Sequence, residues 1–233
     1  MANLLKLYCD VANKTLVKSP FDSSIYTLPT FFNGDKVPIE LQLLLPNDRG
    51  GLSSQFKPYE DAVAIELGLV DVAASPTERA ALTPTQQYKL WSADVVLDGT
   101  GWNVGDTATV TTGGSGSGDT VPVIKITGAT SGDVSSVEVL NEGIVAVTGT
   151  HPATGVTTTR SVYADVASTG LTLRVVWASI HTGVLDLSTS AFNTYMGSDL
   201  SKDTTFEIQA NSGTTWIETI FQATVTVKAD GFK

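Results

Sequence analysis

Trp102 to Gly143 reads WNVGDTATVTTGGSGSGDTVPVIKITGATSGDVSSVEVLNEG. Short runs of Val, Thr and Ile alternate with clusters of Gly, Ser, Asp and Asn. β-branched residues suit a pleated, half-buried backbone, and the intervening residue types accept the dihedrals of tight turns. This composition continues to Thr157, whereas the flanks are richer in Leu, Trp, Tyr and Phe. The stretch therefore predicts a small β module, residues 99–159, inserted into a discontinuous β-sandwich body made of residues 1–98 and 160–233.

Outward from the module, alternation dominates. Leu4–Val11 places Leu5, Leu7 and Cys9 on one face, and Val37–Leu45 is the clearest strand of the N-terminal part. Pro38 near its start suggests a strand end or an edge. Tyr59–Val72 and Gln87–Leu97 read as strands, the first because Gly68 and its β-branched residues disfavour a helix. Pro20 and Pro29 break regular ladders and make the stretch from Asn13 to Asp35 a loop with short extended pieces, closed by the Asn33-Gly34-Asp35 turn. Asn47–Gly51 is another turn. Within the module Thr107–Thr111, Thr120–Ile126, Val134–Val139 and Ile144–Val147 are the strand candidates. Arg160–Val166, Leu171–Ile180, Thr204–Ala210, Trp216–Ala223 and Thr224–Lys228 complete the body, with Asn211-Ser212-Gly213 as a hairpin turn.

Two short helices are expected. Ser75-Pro76-Thr77-Glu78 has an N-cap, a proline at the first helical position and a nearby acid, which predicts a short helix over TERAALT. Ser188-Thr189-Ser190 precedes Ala191, Phe192, Tyr195 and Met196, which share one helical face over about two turns. The fold class is thus all-β, mainly an antiparallel β-sandwich, with one or two short helices. No alternation of strands with long helices points to a Rossmann or TIM architecture.

The composition excludes several function classes. A net charge of −10 over 233 residues repels phosphate backbones, so no nucleic acid is expected as partner. With 16% charged and 42% hydrophobic residues the chain has the means to build a core. One cysteine, Cys9, excludes an internal disulfide and a Cys-based zinc site, and its strand context reads as a small buried thiol. No apolar run reaches the ~18 residues of a membrane span. MANLLKLYCD lacks the apolar core of a signal peptide, so synthesis in a cytoplasm is expected.

Candidate chemistry is sparse. Gly113 to Asp119 (GGSGSGD) is followed by a strand containing Pro122, not by a helix N-terminus, so a flexible turn fits better than a phosphate loop. The same run is similar to the calcium nonapeptide GGxGxDxUx, but its Asp arrives one residue late in a single copy, and such sites need stacked repeats. His151 and His181 lie in or beside turns and read as ordinary surface histidines, since no nucleophile elbow accompanies them. Glu60, Asp61, Asp71, Glu138 and Glu142 read as turn or solvent-face carboxylates. Trp91, Trp177 and Trp216 sit in apolar strand contexts, whereas Trp102 at the mouth of the module is the tryptophan expected to be exposed and able to stack on a sugar. No cofactor and no metal is expected, and no catalytic residue is assigned. Trp102, Asp106, Asp119 and His151 are the expected partner contacts.

The module also resembles a repeat of tailed-bacteriophage virion proteins. That pattern runs Gly-x-Gly-aromatic-x-Val-Gly-Asp, a strand, Gly-Gly-x-Gly, a second strand, a Gly-containing turn, and a strand ending in Asn-x-Gly. Gly99, Gly101, Trp102, Val104, Gly105, Asp106, Gly113, Gly114, Gly116, Gly132, Val134, Asn141 and Gly143 carry the likeness. After Gly143 the pattern continues with Gly-Tyr and a Pro, whereas this chain has IVAVTGTHP. NGDKVPIELQLL and TFEIQANSGTTWIETIFQATVTVKADGF resemble β domains of tail, baseplate and fibre-attachment proteins. The resemblance implies a non-enzymatic structural protein located in the virion, in a tail, neck or fibre-attachment position. It implies a homo-oligomer whose partners are other virion proteins, with a host surface glycan as a further partner. A capsid decoration protein and a carbohydrate-binding or glycan-hydrolysing module are the alternatives.

Overall fold

Strand follows strand along the chain. The computed structural model describes residues 4–46, 52–53, 64–71, 77–110, 120–146, 158–160, 170–211 and 217–229. The order begins with β1 (Leu5–Asp10), β2 (Thr15–Ser19), β3 (Asp22–Ile25), β4 (Phe31–Phe32), β5 (Lys36–Pro46), β6 (Leu52–Ser53), β7 (Ala64–Asp71) and β8 (Thr77–Leu82). It continues with β9 (Thr85–Asp98), β10 (Thr107–Val110), β11 (Val123–Thr130), β12 (Asp133–Asn141), β13 (Val145–Ala146), β14 (Thr158–Arg160) and β15 (Leu171–Asp186). The helix α1 (Ser190–Met196), β16 (Ser201–Asn211) and β17 (Ile217–Lys228) close it. The protein is all-β, with one short helix among the described residues.

The chain divides into two compact units, Met1–Thr85 with Ile180–Lys233, and Gln86–Ser179. The second unit thus contains the expected module, and it also takes β9 and the first part of β15, which the composition groups with the body. Those two strands pair with each other, so backbone hydrogen bonding groups them where residue composition cannot.

In the first unit one sheet runs β3-β2-β1-β5 and then the end of β15, with β6 also on β5. The other runs β4-β17-β16-β7-β8. Inward residues of both build one core, with Leu7 and Leu41 from the first and Leu69, Phe206, Ile208 and Val227 from the second. Phe31 stacks on Phe206 at 6.1 Å between ring centroids, in the range where offset aromatic pairs add stabilisation. Pairing is mainly antiparallel, but β1 runs parallel to β5 and β17 parallel to β4. β5 is an interior strand, not an edge. Its ladder with β1 begins at Ile39, so Pro38 lies beyond it and its missing N–H costs no bond on that side.

Within the segment expected to be a loop with short extended pieces, Thr15–Ile25 forms the β2–β3 hairpin. The helix expected over TERAALT is the strand β8, paired with β7 from Asp71↔Thr77 to Leu67↔Leu82. A ladder on an open strand overrides a weak local helix signal. Gly68 permits the approach, because a Cβ there would collide with the Ala80 carbonyl oxygen. The other helix forms as expected. Thr189 Oγ1 accepts from Phe192 N at 3.2 Å as the N-cap. Phe192 and Met196, four residues apart, turn into the core. Just before the cap, the Asp186 carboxyl is held down to a pKa of about 2 by its bonds to Ser188 and to Lys36, the latter at 2.9 Å. The Asn47–Gly51 turn lies outside the described residues, as do Ser212 and Gly213, whose flanking strands pair antiparallel up to Asn211↔Ile217.

The second unit holds β13-β9 with the start of β15, and the sheet β12-β11-β10-β14. Its buried residues include Tyr88, Leu90, Trp102, Ala108, Ile124, Ile126, Leu173 and Trp177. Lys89, nearly buried, is neutralised by Glu142 at 3.2 Å, as a desolvated ammonium requires.

Candidate interaction surface

Among the described residues, the glycines of the module's pattern shape its turns. Gly99, Gly101, Gly105, Gly132 and Gly143 all take positive φ, between 61° and 95°, where a side chain is strained. Gly105 N donates to Ile126 O, and Ile126 N donates to Asp106 O, both at 2.8 Å. Asp106 Oδ2 accepts from Asn103 N at 2.9 Å and closes the turn ahead of β10. Asn141 Oδ1 accepts from Gly143 N at 3.0 Å and shapes the exit from β12. Each is a backbone device that lets short strands meet at close turns.

Trp102 corrects an expectation. It is 2% exposed, so it is a core residue of the second unit and not a surface for stacking on sugar. Its backbone N donates to Gly132 O at 3.1 Å, tying the loop before β10 to the β11–β12 turn. A tryptophan at the module's entrance looks exposed in one dimension, but its large apolar area favours burial once the turns fold over it. Asp106 is half-buried and occupied by its own turn. Asp119 and His151 lie outside the described residues, as do Trp216, Glu60 and Asp61. The described residues bring none of the four expected contacts together into a site. Trp177 is buried as expected and Trp91 is half-buried.

His181 is also relocated. It lies within β15, opposite Leu41 of β5, and is 6% exposed. Burial lowers its pKa to about 4, so it is neutral at pH 7. Cys9 is buried in the core, and burial, with the Asp10 charge, pushes its thiol up to about 12. A thiol held protonated is a poor nucleophile. Glu138 pairs with Lys125 at 3.1 Å and Glu142 with Lys89. Asp71 lies at the end of β7, opposite Thr77. No group of three His, Cys, Asp or Glu able to hold a metal ion occurs among the described residues. No described helix is long and apolar enough to cross a membrane.

What the first unit presents instead is the β2–β3 hairpin. Phe21 at its turn is 89% exposed and Ile25 is 71% exposed. All four residues of β3 are exposed, and β3 ends its sheet. The side of Ile25 away from β2 is set by register. Val17 and Ile25 are directly opposed, and Tyr26 N donates to Leu16 O at 2.8 Å. The Ile25 N–H and C=O therefore point outward from the sheet. Sequence reasoning singles out neither residue, although two β-prone runs, TLVKS and SSIYT, flank the turn residues Pro20 and Asp22 and carry the hairpin signal.

The chain matches no protein-family model, no curated protein and no solved structure.

Proposed function

We propose that this protein is a non-enzymatic structural component of a tailed-phage virion, in a tail, neck or fibre-attachment position, working by burying surface against neighbouring subunits. One observation supports the reading most directly: the described glycines and Trp102 of the pattern that resembles a phage virion repeat have folding duties. Gly99, Gly101, Gly105, Gly132 and Gly143 supply left-handed turns, and Trp102 supplies the buried anchor. A pattern that encodes a rigid β module, and not a reactive constellation, suits a part whose work is mechanical. The neutral buried His181 and the protonated Cys9 support the same reading, since neither is poised to attack or shuttle protons at pH 7. A capsid decoration role would use the same physics on a different mounting surface.

Mass spectrometry of purified particles, combined with labelling of the chain for electron microscopy, tests the reading. The chain is expected at fixed stoichiometry at the tail, neck or fibre-attachment site. Labelling over the capsid shell selects the decoration role. Absence from particles, together with measurable glycan turnover by the pure chain, overturns both.

A further inference from the structure

Asn33-Gly34 is the one Asn-Gly pair in the chain, and the turn it forms has a chemistry of its own. The amide nitrogen that follows an asparagine can attack that asparagine's side-chain carboxamide and close a succinimide ring. Glycine permits the approach because it has no side chain to obstruct it. Asn103, Asn141 and Asn193 are followed by Val104, Glu142 and Thr194, whose side chains stand in the way.

The fold holds this pair still. Gly34 N donates to Leu187 O at 2.9 Å, and Asn33 N donates to Lys228 O at 2.8 Å. Leu187 N in turn donates to Asp35 O at 2.8 Å, so the turn is bonded on both sides of the reacting nitrogen. Asn33 is only 7% exposed, and it follows β4, whose Phe31 is buried against Phe206. The attacking nitrogen must shed its proton, and here that proton is engaged by a carbonyl. The carboxamide oxygen must gather negative charge in the transition state, yet the buried Asn33 Oδ1 meets no hydrogen-bond donor among the described residues. Both halves of the reaction are therefore blocked while β4 stays on β17, to which it is joined at Val227↔Phe31 and Lys228↔Phe32.

We propose that Asn33-Gly34 is a self-modification site gated by the β4–β17 pairing, inert while the strands are closed and reactive when they part. Once they part, Gly34 N loses its proton to solvent base and bonds to Asn33 Cγ. The Cγ–Nδ2 bond breaks, and the nitrogen takes up a proton and leaves as ammonia. Water then adds to either carbonyl of the ring and opens it, leaving aspartate or isoaspartate at position 33 with no change of oxidation state. Either product carries a carboxylate into a place that holds a neutral side chain, and burying that charge unpaired is costly. Isoaspartate also lengthens the main chain between the bonded turn positions. The junction cannot close as before, so the reaction turns a reversible opening into a lasting one.

Peptide mapping by mass spectrometry tests this. The natural chain is held in mildly alkaline buffer, native or unfolded in guanidinium chloride, and the loss of unmodified Asn33 is followed with time. In denaturant Asn33 is expected to convert ahead of every other asparagine. In the native chain it is expected to convert at least about 100-fold more slowly, the protection that a buried, hydrogen-bonded turn gives. Equal rates in the two states overturn the gate, and an Asn33 that survives in denaturant overturns the site. Phe31→Ala removes the ring that holds β4 on the core. It is expected to raise the native rate roughly ten-fold or more and to leave the denatured rate unchanged. Should Phe31→Ala fail to fold, Val227→Ala on the facing strand replaces it. A destabilised but folded variant that converts no faster than the natural chain also overturns the gate. Asn33→Asp stands in for the product. It is expected to unfold at lower denaturant than the natural chain, with a deficit that grows from acid to neutral pH, because burial favours the uncharged carboxyl. Equal stability at neutral pH shows that the junction accepts the charge, and overturns the lasting effect.

Discussion

Gly132 packs onto the backbone of Gly101 so closely that a Cβ on it would lie 2.7 Å from the Gly101 nitrogen. The contact brings the β11–β12 turn against the loop that carries Trp102, and the Trp102 N to Gly132 O bond locks it. Two glycines far apart in sequence thus close one corner of the second unit.

Substitution separates this steric demand from backbone strain. Gly132 and Gly105 both take positive φ, at 92° and 95°, but a Cβ at Gly105 meets nothing within 4 Å. Gly105→Ala is expected to cost about 1 kcal/mol from strain alone. Gly132→Ala is expected to cost clearly more, about 2–4 kcal/mol, because backbone atoms must also move. Urea unfolding of both variants measures the difference, and equal losses would show that the contact with Gly101 does not matter.

Trp102→Ala is expected to destabilise the second unit by about 3–5 kcal/mol, as truncation of a buried aromatic does. The native fluorescence attributed to Trp102 by difference should be that of an indole away from water. An exposed binding tryptophan would instead leave stability within about 0.5 kcal/mol.

His181 makes stability depend on pH. Its folded pKa, about 4, lies below the ordinary 6.5, so between these values the unfolded chain holds a proton that the folded chain refuses. Its contribution is intact above pH 6.5 and is lost as pH falls toward 4, by about 3 kcal/mol in total. His181→Gln removes that term. Unfolding free energies at pH 7 and about pH 4.5 should therefore differ less for the variant than for the natural chain, and an unchanged difference would refute the assignment.

Cys9 should resist thiol reagents at about pH 8 in the native state and react at once in denaturant, because burial and a pKa near 12 leave almost no thiolate. Reaction at the rate of a free thiol under native conditions would place Cys9 in a region that opens readily.

Alternation makes most of the fold legible. β1, β5, β16 and the helix α1 with its Thr189 cap lie close to where residue spacing puts them, since period and capping are local properties. β8 escapes such a reading because its cap signal is local, while the ladder with β7 that overrides it needs Gly68 nearby in space. The parallel pairing of β1 with β5 is invisible for the same reason. Of the surface, the sequence points to Trp102, which is buried, and passes over Phe21 and Ile25, which are exposed.

Sequence alone determined the all-β class, the acidic balance of charge, the absence of an internal disulfide and the turn-forming duty of Gly105, Gly132 and Gly143. These follow from residue type, period and count. The tertiary structure alone decided which strands are edges, which unit β9 joins, and which apolar residues are left outside. Burial of a side chain depends on what the rest of the chain brings over it, and neither the hidden Trp102 nor the uncovered Ile25 is marked as such by its neighbours in sequence.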